Sequence, residues 1–186
     1  RYYPGLYEKL NESHEHEVFY TANLNSYRDI GQDFKNMREA ETRFLIKQDY
    51  FEFKDFLCLA SSPFKALKVK IPDVTFKERN VTFLAKLAHY QKIFDYSGCE
   101  ALVNYLFCKR LREKGCEVKL IINWNENQNI DRGFALGVRM FLPQTRIIGY
   151  QGYIISPVYN FHTAPTQYEI DSSLIPDAIA VTGEAL

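Results

Sequence analysis

"IINWNENQNIDRGFALGVRMFLPQTRIIGYQGY", residues 121–153, carries both recurring periods of protein structure in one short span. It continues an apolar run, CEVKLIIN from Cys116 to Asn123, which has the length of a strand and polar residues on both sides. From about Asn129 to Phe141 the apolar residues recur at helical spacing. Pro143 stops that run because it has no N–H to continue the ladder. TRIIGY, beginning at Thr145, reads as a second strand. Parallel strands need a crossover between them, and strand, helix, strand supplies one. A right-handed crossover sets both strand C-termini on one edge. Open α/β sheets hold their ligands at that edge.

Upstream, Ser97 and Glu100 have the S-x-x-E spacing of a capping box. Behind them Leu102, Val103, Leu106, Phe107 and Leu111 form a helical stripe, with Gly115 placed to end the helix. Downstream, DAIAV from Asp177 to Val181 reads as a third strand. The expected fold class is α/β: a Rossmann-like parallel sheet with crossover helices, in one domain over residues 1–186 that is clearest over 96–186. Residues 1–95 read as mixed α/β. A short helix is expected between Tyr2 and Leu10, and a strand from His16 to Ala22. One or two helices broken near Gly31 are expected between Ser26 and Arg43. Phe51, Phe53 and Phe56 alternate like strand residues ahead of a Ser-Ser-Pro turn.

Composition narrows the function. Close to half of the chain is apolar, enough for a sizeable core, and the formal net charge of zero argues against a basic nucleic-acid platform. Cys58, Cys99, Cys108 and Cys116 form no C-x-x-C pair and read as buried or idle thiols. An even count, with the sequons at Asn11 and Asn80, keeps a secreted disulfide framework as the alternative. HEHE, from His14, suggests a metal but has no third ligand at sensible spacing, so no metal is expected. No apolar run is long enough to span a membrane. No amphipathic basic helix stands out either, which leaves peripheral membrane contact open.

The turn between the first strand and the helix holds four asparagines, Gln128, Glu126 and the only tryptophan, Trp124. A connection needs one cap, which Asn127 or Asn129 would supply. The remaining amides carry donors and acceptors suited to hydroxyl-rich ligands such as sugars. Glu126, beside Trp124 at a strand end, is either a partly desolvated carboxylate suited to proton transfer or a capping anion. Arg132 is placed to meet an anionic group or to pair with Asp131 or Glu126. Gly133 and Gly137 weaken a helix, which points to close contact between helix and strand. Gly149, Tyr150, Gln151 and Gly152 form a strand-end turn where backbone N–H groups can approach a ligand. The long loop from Tyr153 to Ile175 adds His162 and Glu169.

WNENQ through IGYQGY, followed by IPDAIAVTGEAL, resembles the glycosyltransferase-like proteins of bacterial lipopolysaccharide and capsule biosynthesis. That family shows a W-x-E-N-Q strand end, a helix with an arginine, a strand ending I-G-Y-Q and a P-D-x-I-x-V-x-G-E segment. The matching residues are Trp124, Glu126, Asn127, Gln128, Arg132, Ile148, Gly149, Tyr150, Gln151, Pro176, Asp177, Gly183 and Glu184. The likeness covers residues 120–186. A histidine often follows the Y-Q pair in the family, where this chain has Gly152.

The resemblance implies one half of a GT-B architecture: an N-terminal, acceptor-side domain cut from a longer enzyme at the interdomain boundary. Glu126 would be catalytic. Trp124, Asn127, Gln128, Arg132, Gly149, Tyr150, Gln151, His162 and Glu169 would bind substrate. The partners implied are a glycan or lipid-linked acceptor and a C-terminal domain that binds the nucleotide-sugar donor; no cofactor is expected within these residues. The setting implied is the cytoplasm, including the inner face of the membrane. The alternatives are a sugar-nucleotide epimerase or polyol-phosphate transferase of the same architecture, and a non-catalytic Rossmann-like binding module.

Overall fold

A computed structural model of the chain describes residues 6–12, 17–23, 29–152 and 165–181. The contacts gather into two compact units, Arg1–Tyr50 and Phe51–Leu186.

The first unit holds α1 (Leu6–Glu12), α2 (Ile30–Glu39) and a 3-10 turn at Lys47–Tyr50. The expected strand at His16 to Ala22 is reduced, among its described residues, to one parallel bridge between Tyr20 and Phe44. Gly31 does not break a helix. It lies in the first turn of α2, whose cap is Asp29, accepting the Gln32 N–H at 3.2 Å.

The second unit begins with α3 (Phe53–Ala66), a stretch whose aromatic alternation leaves its element unassigned in the sequence. Pro63 lies inside this helix and has no N–H for the Leu59 carbonyl; the Ser62 hydroxyl donates to that carbonyl at 2.8 Å instead. A short hairpin follows, β1 (Thr75–Phe76) and β2 (Arg79–Asn80), with Lys77 and Glu78 at positive φ in its turn. Then come α4 (Thr82–Lys92) and α5 (Tyr96–Glu113). The cap of α5 is Asp95 and not Ser97: its carboxylate accepts the Ser97 hydroxyl at 2.9 Å and faces the Ser97 N–H at 3.5 Å. Gly115, at φ 71, ends the helix as expected.

Arg110 of α5 is 1 % exposed and joins this helix to α3. Its Nε and Nη2 donate to the two carboxylate oxygens of Asp55 at 2.7 and 2.8 Å, while Nη1 meets Glu52 at 2.6 Å and also Glu113. A paired guanidinium can be buried in this way because every charge it brings inside is met.

The remainder is β3 (Leu120–Trp124), α6 (Asn129–Phe141), β4 (Arg146–Gln151), α7 (Gln167–Asp171) and β5 (Ala178–Val181). The three strands form a parallel sheet in the order β3-β4-β5, so the expected α/β layout holds in its coarser form: a small parallel sheet with a crossover helix. Asp177 ties β5 in by accepting the Ile147 N–H at 2.7 Å and Arg139 Nη2, also at 2.7 Å. The core lies between helices: Val103, Leu106, Phe107, Cys108 and Leu111 of α5 face Phe134, Ala135 and Val138 of α6. All four cysteines are free thiols.

The two helical glycines serve this helix–helix contact, not the helix–strand contact expected of them. A Cβ on Gly133 would overlap the Ala101 carbonyl, and one on Gly137 would lie 2.9 Å from the Tyr105 Cα. Gly133→Ala should therefore destabilise the fold. The alanine gains about 1 kcal/mol in helix propensity, but pushing two backbones apart costs roughly 1–3 kcal/mol or more. A urea midpoint that falls with an unchanged slope would show this, and a raised midpoint would refute it.

Candidate functional site

The sheet register sets Asn123 beside Gly149 and Trp124 beside Tyr150. The two strand-end turns therefore share one rim. Across it the Asn125 N–H donates to the Tyr150 carbonyl at 2.9 Å, and the Trp124 and Tyr150 rings meet edge to face at 5.8 Å between centroids. Gly152 lies against this pair: a Cβ there would sit 2.9 Å from the Trp124 ring and overlap that of Tyr150. No side chain, histidine included, fits at 152 while the two rings hold these positions. Gly149 is buried, and its missing Cβ makes room for Pro176 and Asn125, each within 3 Å of where that atom would be. That is a packing role for the missing side chain. Gln151 is half-buried at the end of β4, beside Val181.

Glu126 is half-buried on the rim with both carboxylate oxygens engaged. The Trp124 indole N–H donates to Oε1 at 2.8 Å and the Gln128 amide to Oε2 at 2.5 Å. A carboxylate offers about four lone-pair positions, so room to accept from a ligand hydroxyl remains.

The residue that organises the turn is Asp131, weighed in the sequence only as a partner for Arg132. Its carboxylate accepts the Glu126 N–H at 2.9 Å, the Gln128 N–H at 3.0 Å and the Asn123 side-chain amide at 3.1 Å. The cap of α6 is thus Gln128 with Asp131 three residues on, and neither Asn127 nor Asn129. Asn127 takes the left-handed turn conformation, φ 52, which asparagine tolerates. Burial pushes the Asp131 carboxyl above its usual range and the nearby Glu126 charge adds to this, while the three donors pull it down. The Q-x-x-D spacing was the available signal for this residue.

Arg132 meets neither Asp131 nor Glu126 as its ion partner. It pairs with Glu169 of α7, which is buried and also accepts the Thr166 N–H at 2.7 Å and hydroxyl at 2.9 Å. The Thr166 backbone bond first, then its hydroxyl and Arg132, hold the Glu169 carboxyl below its ordinary range against the opposing effect of burial. Both residues are expected to touch substrate, and the geometry joins them as a clamp between the start of α6 and α7. One donor of this clamp, Arg132 Nε, is buried with no acceptor among the described residues.

His162 lies outside the described residues, as do His14 and His16. No group of three or more side chains disposed to hold a metal occurs among the described residues. Compared with protein-family models, with curated proteins and with solved structures, the chain matches none.

Proposed function

We propose that this chain is the acceptor-side domain of a glycosyltransferase that moves a sugar from a nucleotide-sugar donor to a glycan or lipid-linked acceptor in bacterial surface-polysaccharide synthesis. The sheet would be the Rossmann-like core of one GT-B half, with the donor bound mainly by a second domain. The observation that carries this reading is the shared rim, where one carboxylate, its amide partner and an aromatic pair stand together at the C-terminal ends of parallel strands. Aromatic faces with amide and carboxylate groups beside them suit a pyranose, which has apolar C–H faces and a girdle of hydroxyls. In an inverting transfer Glu126 would take the acceptor hydroxyl proton; in a retaining one it would orient the acceptor.

A second reading is a non-catalytic binding module. It is favoured by the Asp131 cap, which occupies much of the polar turn with internal bonds. Trp124 is the only tryptophan and donates to Glu126, so its fluorescence reports on the rim. Titrating the chain with oligosaccharide fragments should change that emission, while nucleotide sugars alone should bind weakly by calorimetry. Tight nucleotide-sugar binding would overturn the division of labour. An emission that no glycan alters would overturn the acceptor site itself.

A further inference from the structure

Of the twenty-two large hydrophobic side chains exposed among the described residues, thirteen lie between Phe53 and Tyr96, under a quarter of the chain. They are ordered. On α3, Phe53, Phe56, Leu57 and Phe64 recur at i, i+3, i+4 and i+11; on α4, Phe83, Leu84, Leu87 and Tyr90 follow the same period. These are the faces a helix ordinarily turns to the core. Here the buried residue of α3 is Asp55, held by Arg110, and that of α4 is Thr82. The two helices are joined at their ends by His89 Nε2, 3.0 Å from the Ala66 carbonyl. Single proteins seldom expose contiguous apolar surface beyond a few hundred Å², and more than that marks an interaction site.

The charges say what covers it. Residues 53–96 hold eight Lys and Arg against four Asp and Glu, in a chain whose net charge is zero. Two of the four acids are already neutralised: Asp55 by Arg110, and Asp95 by Lys92 at 2.9 Å. Lys65, Lys68, Lys70 and Lys86 are exposed among the apolar residues, as is Lys54, which pairs with Glu52 at 2.9 Å. A second copy of the chain, docked about a two-fold axis, would set these lysines against one another. An anionic bilayer takes both features, with aromatic side chains at headgroup depth and lysine stems lying along them so that the ammonium groups reach lipid phosphates. No helix among the described residues is long and apolar enough to cross a membrane, so the contact would lie in the interface plane.

We propose that the α3–α4 surface, with its lysine fringe, docks on an anionic lipid bilayer. This stands apart from the transfer chemistry and does not depend on it.

The test is flotation of the chain with vesicles of equal parts phosphatidylglycerol and phosphatidylethanolamine, beside vesicles of phosphatidylcholine. Binding is expected to the first only. It should weaken as salt rises from about 0.1 M to about 1 M, where the screening length shortens from about 10 Å to about 3 Å. Lys65→Glu with Lys68→Glu and Lys70→Glu should lower the vesicle partition coefficient roughly tenfold or more. Phe53→Ser with Phe64→Ser and Phe83→Ser should do the same, and because these positions are exposed, circular dichroism should stay unchanged. Met140→Ser, exposed on α6, should leave binding intact. The proposal is overturned by equal binding to phosphatidylcholine, by no binding at all, or by folded variants that bind as the parent does. Self-association that the variants abolish, with no vesicle binding, would overturn it in favour of a dimer.

Discussion

Arg110→Ala should leave the second unit close to unfolding at neutral pH. Its guanidinium holds both oxygens of Asp55, 2 % exposed, and removing it strands a buried carboxylate with no counter-charge. Breaking one side of a buried pair costs about 3–5 kcal/mol, out of roughly 5–15 kcal/mol for a typical domain. The pH dependence separates this cause from lost packing. In the parent, burial acts to raise the Asp55 pKa, but the hydrogen bonds and charge of Arg110 and the Glu52 N–H bring it below its ordinary value. A carboxyl with a depressed folded pKa stabilises the fold above its unfolded value of about 3.9. That contribution drains away as pH falls through the lower folded pKa. In the variant only the Glu52 N–H and the more distant charge of Lys109 are left to oppose burial, so the shift should turn upward. The variant should then recover stability on mild acidification, where the parent does not. Chemical denaturation across pH measures both slopes, and parallel slopes would refute the assignment. Arg110→Met with Asp55→Leu should restore most of the loss, because apolar replacement of a whole buried pair is often neutral.

That pair also shows where sequence reasoning stops. Fifty-five positions separate Arg110 from Asp55, and nothing in the local spacing of either announces the other. The aromatic alternation at Phe51, Phe53 and Phe56 leaves that stretch unassigned, because apolar residues are assumed to face inward and these fit no single period. In α3 that assumption inverts: Phe53 and Phe56 are exposed and Asp55 is inside. The stretch from β3 to β4 was legible because its signals are local: a short apolar run, helical spacing, a proline stop and a second apolar run. Even there the sequence did not distinguish which surface Gly133 and Gly137 approach, since α5 and a strand ask the same thing of a glycine. Parallel pairing made the shared rim readable in advance, but the register that sets Trp124 beside Tyr150 was not. The Arg132–Glu169 clamp spans 37 positions and was not readable. Asp131 was within reach through its spacing from Gln128, but four neighbouring asparagines offered simpler caps.

Glu126→Gln should separate the two readings of the rim. In the complete enzyme, transfer should fall at least about a hundredfold, the low end for loss of a general base, or about 2.7 kcal/mol of transition-state stabilisation. The variant keeps an oxygen to accept from the Trp124 indole, and the Glu126 main-chain N–H to Asp131 is untouched, so the fold should hold. The amide cannot take a proton from an acceptor hydroxyl, and it places a new donor beside the Gln128 amide, which now donates to Oε2 at 2.5 Å. If Glu126 only caps the turn, the variant should instead lose a few tenths of a kcal/mol in stability, or up to about 1 kcal/mol, by the weakened helix-dipole contact. It would then turn over substrate nearly as the parent does. Steady-state kinetics with saturating acceptor decides between these outcomes. A reduced kcat with little change in acceptor KM marks a group used in the transition state, whereas a raised KM at constant kcat marks a residue that only holds the sugar. Unchanged kcat and KM would remove Glu126 from the site and leave the rim to the binding module.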